Sequence, residues 1–487
     1  MGDWKIDERV KSTLAAVAAL TGLAAVLRVY RITFGSLWLD EGYTILLSRL
    51  SNQELLAAWP CDANPFLASR LFRWWSMLFG ESELAFESLS VVFAVLSIPA
   101  AAYLARRLFG DRAAVWTAFL LSASALHVRY SQFIRIYAAA LFLLILSAIF
   151  LLNYLRSGKA RDCTLWVVCA ALVINLHYLG LVMVASIAAG AMFFAKERGR
   201  LVSLVLSCVL IAVCTSPALY QLFRHYSQAL TIGWMQSPAF ETFVSIWYHL
   251  SSESAVLLIL LFSAVVFAAY SVLRTSEKTS EALLLFCWLL LPVAGIWGLS
   301  LLGSSFFHVR YFIFILPAFM ILAAAGLSRL GPMVDVVWVL PLVIVLSGNA
   351  LSDYYFERRD ASRERAAYEF LSQHFQGGDV VLHTSKCSYV PGNFYAAGQH
   401  EEYLIDTAPP SQTLRCAGID EHRITLADVA KYNRLWLFNR DCYPRRAGEE
   451  IYESKEFKDL YPRLLYESPD GSLSLFDLTY REVFAEY

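Results

Sequence analysis

The sequence predicts an α-helical polytopic membrane protein with a C-terminal soluble α/β domain. Of its 487 residues 58% are hydrophobic and 17% charged. About eleven apolar runs, each close to the twenty residues that a helix needs to cross a bilayer, recur between positions 13 and 350. After Leu351 the pattern changes to short β-like runs between Gly, Pro and Asn residues. We therefore expect a membrane module at 1–351 and a soluble domain at 352–487.

The charges predict how the chain is oriented in the membrane. Lys and Arg concentrate in alternate connections between apolar runs, at 106–112, 156–161 and 196–200. Such connections usually lie in the cytoplasm. The other connections then face outward, including a long first loop at 32–86, and so does the C-terminal domain. This arrangement predicts an integral protein of a bacterial inner (plasma) membrane, with its active site and C-terminal domain facing the periplasm or exterior.

The outward segments predict several local elements. Asn52–Trp59 and Pro65–Phe79 have the apolar spacing of short helices that lie in the headgroup layer. Ala361–Phe375 predicts an amphipathic helix. Strands are predicted at Asp379–His383, at Arg434–Phe438 and at Ser472–Leu478. The C-terminal domain is expected to bind an acceptor, to cover a cavity or to stabilise the fold.

Cysteine spacing and net charge exclude some functions. The nine cysteines show no paired metal-ligand spacing, so no metal site is predicted from them. Cys416 and Cys442 are a candidate disulfide if the domain faces an oxidising compartment. A net charge of −1 gives no indication of a nucleic-acid partner.

Two adjacent carboxylates, Asp40 and Glu41, follow the first apolar run. Such a pair alone is most often just hydrated, although a carboxylate can accept a proton from a hydroxyl group. Arg129, Arg135 and Arg310 stand beside aromatic residues in other outward connections. Charged groups at the boundary of a helix bundle are costly unless they face a polar cavity. We therefore take these residues as candidates for one site.

Structural roles compete with some of these assignments. Arg28 and Arg31 end the first apolar run, and we expect their side chains to extend to the membrane surface. Asp62 and Glu81 are expected to face solvent. His177 is as compatible with packing as with substrate binding.

A series of motifs resembles a known family. The motifs are S-L-W-L-D-E-G-Y-T (36–44), N-P-F-L-A-S-R-L-F-R-W-W-S-M-L-F-G-E-S-E (64–83), A-R-R-L-F-G (105–110), R-Y-S-Q-F-I-R-I-Y (129–137), N-L-H-Y (175–178) and H-V-R-Y-F-I-F-I-L-P-A (308–318). In this order they resemble bacterial GT-C glycosyltransferases of the glycosyltransferase 39-like group, which includes protein mannosyltransferases and aminoarabinose transferases. The resemblance covers the membrane module.

The resemblance implies a transferase that takes a sugar from a polyprenyl phosphate. Asp40 matches the family's general base, and Glu41 would position the acceptor or the base. Arg135 and Arg310 match cations near the donor phosphate, and Arg129 competes closely with Arg135. The other candidate substrate-binding residues lie in the same motifs: Tyr43, Asn64, Tyr137, His177, Tyr178, His308 and Tyr311.

The chain departs from the family at two positions. Phe133 stands where members commonly have a carboxylate, and Asn64-Pro65-Phe66 stands where they often have His-Pro-Pro. The first departure removes a metal or acceptor ligand. The resemblance therefore leaves a divalent metal ion open as a cofactor, and leaves a glycan, a lipid or a protein open as the acceptor.

The chemistry of sugar transfer agrees with this division of roles. A hydroxyl group that attacks the anomeric carbon must lose a proton, which one carboxylate can accept. A phosphate leaving group needs charge stabilisation, which arginine supplies through a fixed fork of donors. The alternative is a transporter or flippase of lipid-linked sugars, for which internal repeats and broken spans are typical. A structural assembly subunit would leave Asp40 without a role.

Overall fold

The chain forms two compact units. One contains Met1–Ile32 and Ala63–Glu357, and we call it the membrane unit; the other contains Thr33–Asp62 and Arg358–Tyr487, and we call it the C-terminal unit. The first half of the predicted outward loop thus belongs to the C-terminal unit. The computed structural model describes residues 8–62, 64–195, 197–229, 238–302, 305, 307–358, 364–405, 411–440, 451–452, 454–460 and 462–479.

Seven helices of the membrane unit are long and apolar enough to span a bilayer. They are Glu8–Val29, Glu83–Phe109, Tyr137–Ser157, Ala255–Thr275, Thr279–Leu301, Val309–Leu327 and Asp335–Phe356. Arg198–Cys214 and Ser216–Arg224 are bent by 66° and make an eighth if counted as one span. The other α-helices of the membrane unit are Phe66–Phe79, Asp111–Ser122, Ala125–Ser131, Ala160–Leu176, Gly180–Ala191, Phe240–Leu250 and Pro332–Val334. The predicted polytopic helical architecture is confirmed.

The number of spans differs from the sequence-based expectation of about eleven. Each predicted run coincides with helical structure, but three of the runs are short helices outside the seven spans and the bent pair. Asp111–Ser122 has 12 residues, Ala160–Leu176 has 17, and Gly180–Ala191 has 12 before its 3₁₀ extension. By length and composition, the described part of the chain therefore supports seven or eight spans.

The helix Leu316–Leu327 is the centre of the membrane unit. All of its residues are buried, as expected of a helix that is apolar on every side. Gly326 makes this possible on the side of the helix Ala255–Thr275, because a Cβ atom there would lie 1.9 Å from the carbonyl oxygen of Ala264. A larger residue at this position would push the two helices apart.

The C-terminal unit contains a five-stranded sheet. Its strands are β1 Asp379–His383, β2 Glu402–Leu404, β3 Arg434–Phe438, β4 Arg463–Glu467 and β5 Leu473–Asp477. They are arranged in the order β2-β1-β3-β5-β4, with β1 parallel to β2 and β3 and with β5 antiparallel to β3 and β4. The three predicted strands correspond to β1, β3 and β5. The short β2 and the largely exposed β4 were not predicted.

Both faces of this sheet are covered. Val380 and Leu382 of β1 contribute to one apolar core, while Val381 contributes to the other with Trp436 and Phe438 of β3. This alternation follows from the two-residue period of a strand. The helices of the unit are Leu39–Arg49, Asn52–Ala58, Glu364–His374, Lys386–Ala396, Gln412–Cys416, Leu426–Val429 and Lys455–Lys458.

A disulfide joins the two parts of the C-terminal unit, Thr33–Asp62 and Arg358–Tyr487. Cys416 is bonded to Cys61, 355 positions away. The predicted Cys416–Cys442 pair is therefore wrong, because Cys416 already has another partner; Cys442 itself lies outside the described residues. Cys387 is also in a disulfide.

Candidate functional site

Asp40 and Glu41 lie in the first turn of the helix Leu39–Arg49, where negative charge stabilises a helix. The Glu41 carboxylate accepts a hydrogen bond of 3.2 Å from the backbone N–H of Trp38 and is buried. This is one of the two contacts of a capping box; the indole of Trp38 is a donor only and cannot supply the other. Asp40 is half-buried and lies between Trp38 and Glu41 in the same turn. The two carboxylates therefore differ: Glu41 fixes the start of the helix, and Asp40 is the more exposed of the pair.

Tyr43 lies one turn after Asp40 and packs inside the C-terminal unit. Its ring contacts a small apolar core formed by Tyr389, Val390 and Leu404. Burial is the main reason why the pKa of Tyr43 rises to about 12, and the charges of Glu421, Asp40 and Asp62 act in the same direction. The predicted substrate-binding role of Tyr43 thus competes with a clear packing role.

Asp62 does not face solvent as expected. It is buried at the end of the segment Thr33–Asp62 and is close enough to Tyr43 to affect its pKa. Glu81 does have an exposed side chain, and it pairs with Arg73 at 3.0 Å. The difference arises because Asp62 follows the disulfide-bonded Cys61, which is part of the C-terminal unit.

The other predicted site residues belong to the membrane unit, where aromatic rings form a continuous chain. The ring centroids of Tyr130 and Tyr137 are 5.4 Å apart, and those of Tyr137 and His177 are 5.5 Å apart. Tyr311 continues the chain, at 5.8 Å from His177 and 6.0 Å from His308. These centroid distances are typical of favourable aromatic contacts. Four predicted substrate-binding residues are thereby brought together.

Three arginines accompany these rings. The guanidinium carbon of Arg310 lies 5.4 Å from the centre of the Tyr311 ring, and that of Arg129 lies 5.9 Å from the Phe133 ring. Arg129 and Arg310 both affect the pKa of Tyr130, although burial dominates and raises it. We call the set of Arg129, Tyr130, Arg135, Tyr137, His177, His308, Arg310 and Tyr311 the arginine–aromatic cluster.

Arg135 approaches the cluster with Asn64. Its guanidinium donates to the side-chain oxygen of Asn64 at 3.3 Å, and its backbone oxygen accepts from Ser90 at 3.2 Å. Arg135 and Arg310 act together on His177, in the connection between two helices. Burial is the largest cause that lowers the pKa of His177 to about 3, followed by the charges of these two arginines.

His177 is therefore neutral at physiological pH. Its Nδ1 accepts a hydrogen bond of 3.3 Å from the backbone N–H of Leu179, which leaves the proton on Nε2. The neutral ring and the two cations make this part of the cluster attractive to an anion. Tyr178, the next residue, is half-buried.

Arg28 has a structural role that the sequence did not reveal. It is fully buried and does not extend to the membrane surface as expected. Its guanidinium donates to the backbone oxygens of Ala24, Leu121 and Ser122 and lies 2.6 Å from Nδ1 of His127. A buried charge with several hydrogen-bond partners can be tolerated. Arg28 thus joins helices rather than anchoring one at the surface.

The described residues contain no group of three His, Cys, Asp or Glu side chains that could hold a metal ion.

Comparison with known proteins shows what this architecture resembles. Residues 63–221 match the family model described as dolichyl-phosphate-mannose-protein mannosyltransferase. The structure of ArnT from Cupriavidus metallidurans in the apo state matches over 96% of this chain and 98% of that chain, with a TM-score of 0.66 and 13% sequence identity. The chain has the GT-C glycosyltransferase fold. The family resemblance inferred from the motifs is thus confirmed.

Two further structures with this fold carry lipid phosphates. ArnT from Cupriavidus metallidurans bound to undecaprenyl phosphate has a TM-score of 0.65 and 13% identity, covering 95% of this chain and 98% of that chain. The second is the oligosaccharyltransferase AglB from Archaeoglobus fulgidus, in complex with an inhibitory peptide and a dolichol-phosphate. It has a TM-score of 0.54 and 12% identity, and the match covers 95% of this chain and 74% of that chain. None of the curated proteins matches this GT-C chain by sequence.

Proposed function

We propose that this protein is a membrane glycosyltransferase that moves a sugar from a polyprenyl phosphate to an acceptor hydroxyl, with inversion at the anomeric carbon. The reaction takes place on the extracytoplasmic side of a bacterial inner membrane. The observation that carries the proposal is the contact of Arg310 with the Tyr311 ring, which itself packs against His177; the charges of Arg135 and Arg310 both act on this histidine. Two cations beside a neutral ring suit a phosphate group, and a third cation, Arg129, lies in the same cluster.

The comparisons support a lipid phosphate as the ligand of this cluster. One relative in fold is bound to undecaprenyl phosphate and another to a dolichol-phosphate. In a bilayer, the aromatic rings of the cluster would contact the sugar or the first isoprene units, and the arginines would hold the phosphate. Asn64 would keep the guanidinium of Arg135 in place through their hydrogen bond.

Asp40 is the proposed general base. Its carboxylate takes the proton of the acceptor hydroxyl while the hydroxyl oxygen bonds to the anomeric carbon. The bond between that carbon and the phosphate oxygen breaks, and the lipid phosphate leaves with the electron pair. Arginine charges compensate the negative charge of the leaving phosphate. One displacement without a covalent intermediate inverts the anomeric configuration.

The donor sugar is a hexose or a pentose, and the acceptor is a glycan, a lipid or a protein. A divalent metal ion remains a proposed cofactor for the donor. Assays with EDTA test it, and a loss of turnover that Mg²⁺ or Mn²⁺ restores would support the metal.

Sugar transfer by the wild-type protein is the test of this function. The full chain is reconstituted in liposomes with radiolabelled undecaprenyl-phosphate sugars, namely the mannose, aminoarabinose and arabinose derivatives, and with an extract of cell-envelope material as acceptor. We expect release of undecaprenyl phosphate and appearance of label in the acceptor for one of these donors.

The alternative of a lipid-linked sugar transporter predicts another outcome. In that case the labelled donor would move between leaflets, as measured by its protection from an added reagent, without cleavage of the sugar–phosphate bond. Movement without cleavage for every donor would contradict the proposed transferase.

A further inference from the structure

The segment Thr33–Asp62, which carries Asp40, is held at its start by the C-terminal part of its unit. Arg365 donates to the backbone oxygens of Thr33 and Gly35 at 2.6 and 3.2 Å. The hydroxyl of Tyr395 accepts from the backbone N–H of Leu37 at 2.8 Å. These bonds satisfy backbone groups that would otherwise need water. They fix the chain just before the helix Leu39–Arg49 begins.

The helix Leu39–Arg49 itself lies directly against the helix Lys386–Ala396. A Cβ atom on Gly42 would lie 3.0 Å from a side-chain methyl of Val390, 3.1 Å from the backbone nitrogen of Pro391 and 3.2 Å from the carbonyl carbon of Val390. Backbone atoms cannot retreat as a flexible side chain can. Glycine is therefore the residue that allows this close approach, two positions after Asp40.

The end of the segment is held covalently. Cys61 is bonded to Cys416, and the hydroxyl of Thr413 donates to the backbone oxygen of Cys61 at 2.9 Å. Both Thr413 and Cys416 are in the short helix Gln412–Cys416. The segment thus has fixed contacts at its start, in its helix and at its end.

The helix Lys386–Ala396 rests in turn on a buried polar cluster. A Cβ atom on Gly392 would lie 2.3 Å from the hydroxyl of Tyr368. This hydroxyl donates to the Glu402 carboxylate at 2.7 Å, and His400 and His383 also pair with that carboxylate. Hydrogen-bonded polar groups of this kind specify one arrangement of a core.

We propose that the C-terminal unit positions Asp40. Gly42, Cys61 and Cys416 are the positioning residues. Gly42 sets how closely the helix Leu39–Arg49 approaches the helix Lys386–Ala396, and the Cys61–Cys416 disulfide limits how far the segment that carries Asp40 can move. The effect of this positioning on catalysis rests on the proposed function. The restraint on the helix Leu39–Arg49 is independent of the proposed function. Positioning of Asp40 would thus be a role of the C-terminal domain, and the sequence alone does not reveal it.

The test uses the full chain in lipid nanodiscs and two kinds of variant. Gly42→Ala introduces the unfavourable contact, and its matched control is Gly348→Ala in the helix Leu340–Ser352, where a Cβ atom has no neighbour within 4 Å. Alanine favours helix formation over glycine at both positions. The two variants therefore differ in the contact of the new Cβ atom with Val390 and Pro391, which only Gly42→Ala introduces. The double variant Cys61→Ser, Cys416→Ser removes the disulfide, and its control is Cys208→Ser, Cys214→Ser, both of which are free cysteines.

Hydrogen exchange of the peptide at 39–49 is measured by mass spectrometry. We expect exchange at least fivefold faster in both test variants than in their controls, and unchanged exchange in β1. Unchanged exchange at 39–49 would overturn the proposal. An equal rise throughout the unit, including β1, would also overturn it, because the unit would then be unfolding.

Turnover and donor binding are measured on the same samples. We expect kcat to fall at least tenfold in both test variants, while affinity for undecaprenyl phosphate stays within twofold. Faster exchange with normal kcat would contradict the positioning role. If the wild type cleaves no donor but the exchange pattern is as expected, the proposed function fails and the restraint on the helix stands.

Discussion

The arginine–aromatic cluster and the segment around Asp40 belong to different units of the chain. The cluster draws its rings from three stretches of the membrane unit, at 130–137, at 177 and at 308–311. The Asp40 segment obtains its contacts from residues far along the chain, such as Arg365, 332 positions after Thr33. Changes in the cluster should therefore act on donor binding alone, whereas distant changes in the C-terminal unit should affect the base.

Asp40→Asn should have the largest effect on activity. The amide cannot accept the proton, and loss of a general base typically costs 10²- to 10⁴-fold in rate. We expect kcat to fall by about this factor, as measured with the undecaprenyl-phosphate sugar that the wild-type protein cleaves. Binding of undecaprenyl phosphate should stay within twofold.

The control for Asp40→Asn is Glu54→Gln. Glu54 is exposed in the first turn of the next helix, where its carboxylate accepts from the backbone N–H of Ser51. It undergoes the same change of carboxylate to amide and should keep normal turnover. Equal losses in both variants would mean that the Asp40 effect is structural.

Arg310→Ala tests the other side of the comparison. Hydrogen bonds to charged groups contribute about 1.5–3 kcal/mol, so we expect affinity for undecaprenyl phosphate to fall roughly 10- to 100-fold. Arg310→Lys should recover part of this loss, because lysine keeps the charge but not the fork of donors.

Isothermal titration in detergent measures this affinity. Arg107→Ala is the matched control, since Arg107 is exposed and bonded to the hydroxyl of Tyr103. Faster exchange at 39–49 in Arg310→Ala would contradict the independence of the two regions.

Glu402→Gln tests the support beneath the Asp40 segment. Burial is the largest single influence on the pKa of Glu402 and would raise it. The interactions with His383, His400 and Tyr368 together outweigh burial and lower this pKa to about 2. The stability that this carboxylate contributes is present above its unfolded value of about 4.3 and is lost as pH falls toward 2. The variant should reduce this acid dependence.

Removing one partner of a buried pair typically costs roughly 3–5 kcal/mol. We expect a lower unfolding midpoint at pH 7 by intrinsic fluorescence, with undecaprenyl phosphate binding unchanged. The neighbouring Glu401→Gln is the control, because Glu401 is exposed. A midpoint equal to that of the control would mean that the cluster does not support the unit.

Glu41→Gln should have the smallest effect. Glutamine can replace glutamate in a capping box, so the hydrogen bond from Trp38 can persist. We expect turnover within about fivefold of the wild type. A loss as large as that of Asp40→Asn would give Glu41 a direct part in the chemistry rather than a part in the helix cap.

The sequence predicted the features that depend on local pattern. Spans follow from apolar length, and β1, β3 and β5 follow from buried runs between turn residues. β2 has only three residues, and β4 is an exposed edge strand, so neither has a strong apolar pattern. The candidate residues around Tyr137 and His177 could be predicted because they lie in motifs that occur in the same order in the resembling family.

The features that were missed depend on contacts between distant residues. The pairing of Cys61 with Cys416 spans 355 positions, and spacing alone does not select it over other pairs. The burial of Arg28 and Asp62 was missed for the same reason. A charged residue at the end of an apolar run normally reaches water, and only the three-dimensional structure reveals the partners that bury it.

The anomeric configuration of the product tests the account most directly. Its central claim is a single displacement in which Asp40 accepts a proton and the lipid phosphate leaves. NMR of the glycosylated product, compared with the donor sugar, should show an inverted configuration at the anomeric carbon. A retained configuration would require a covalent intermediate or a second displacement and would contradict the role assigned to Asp40.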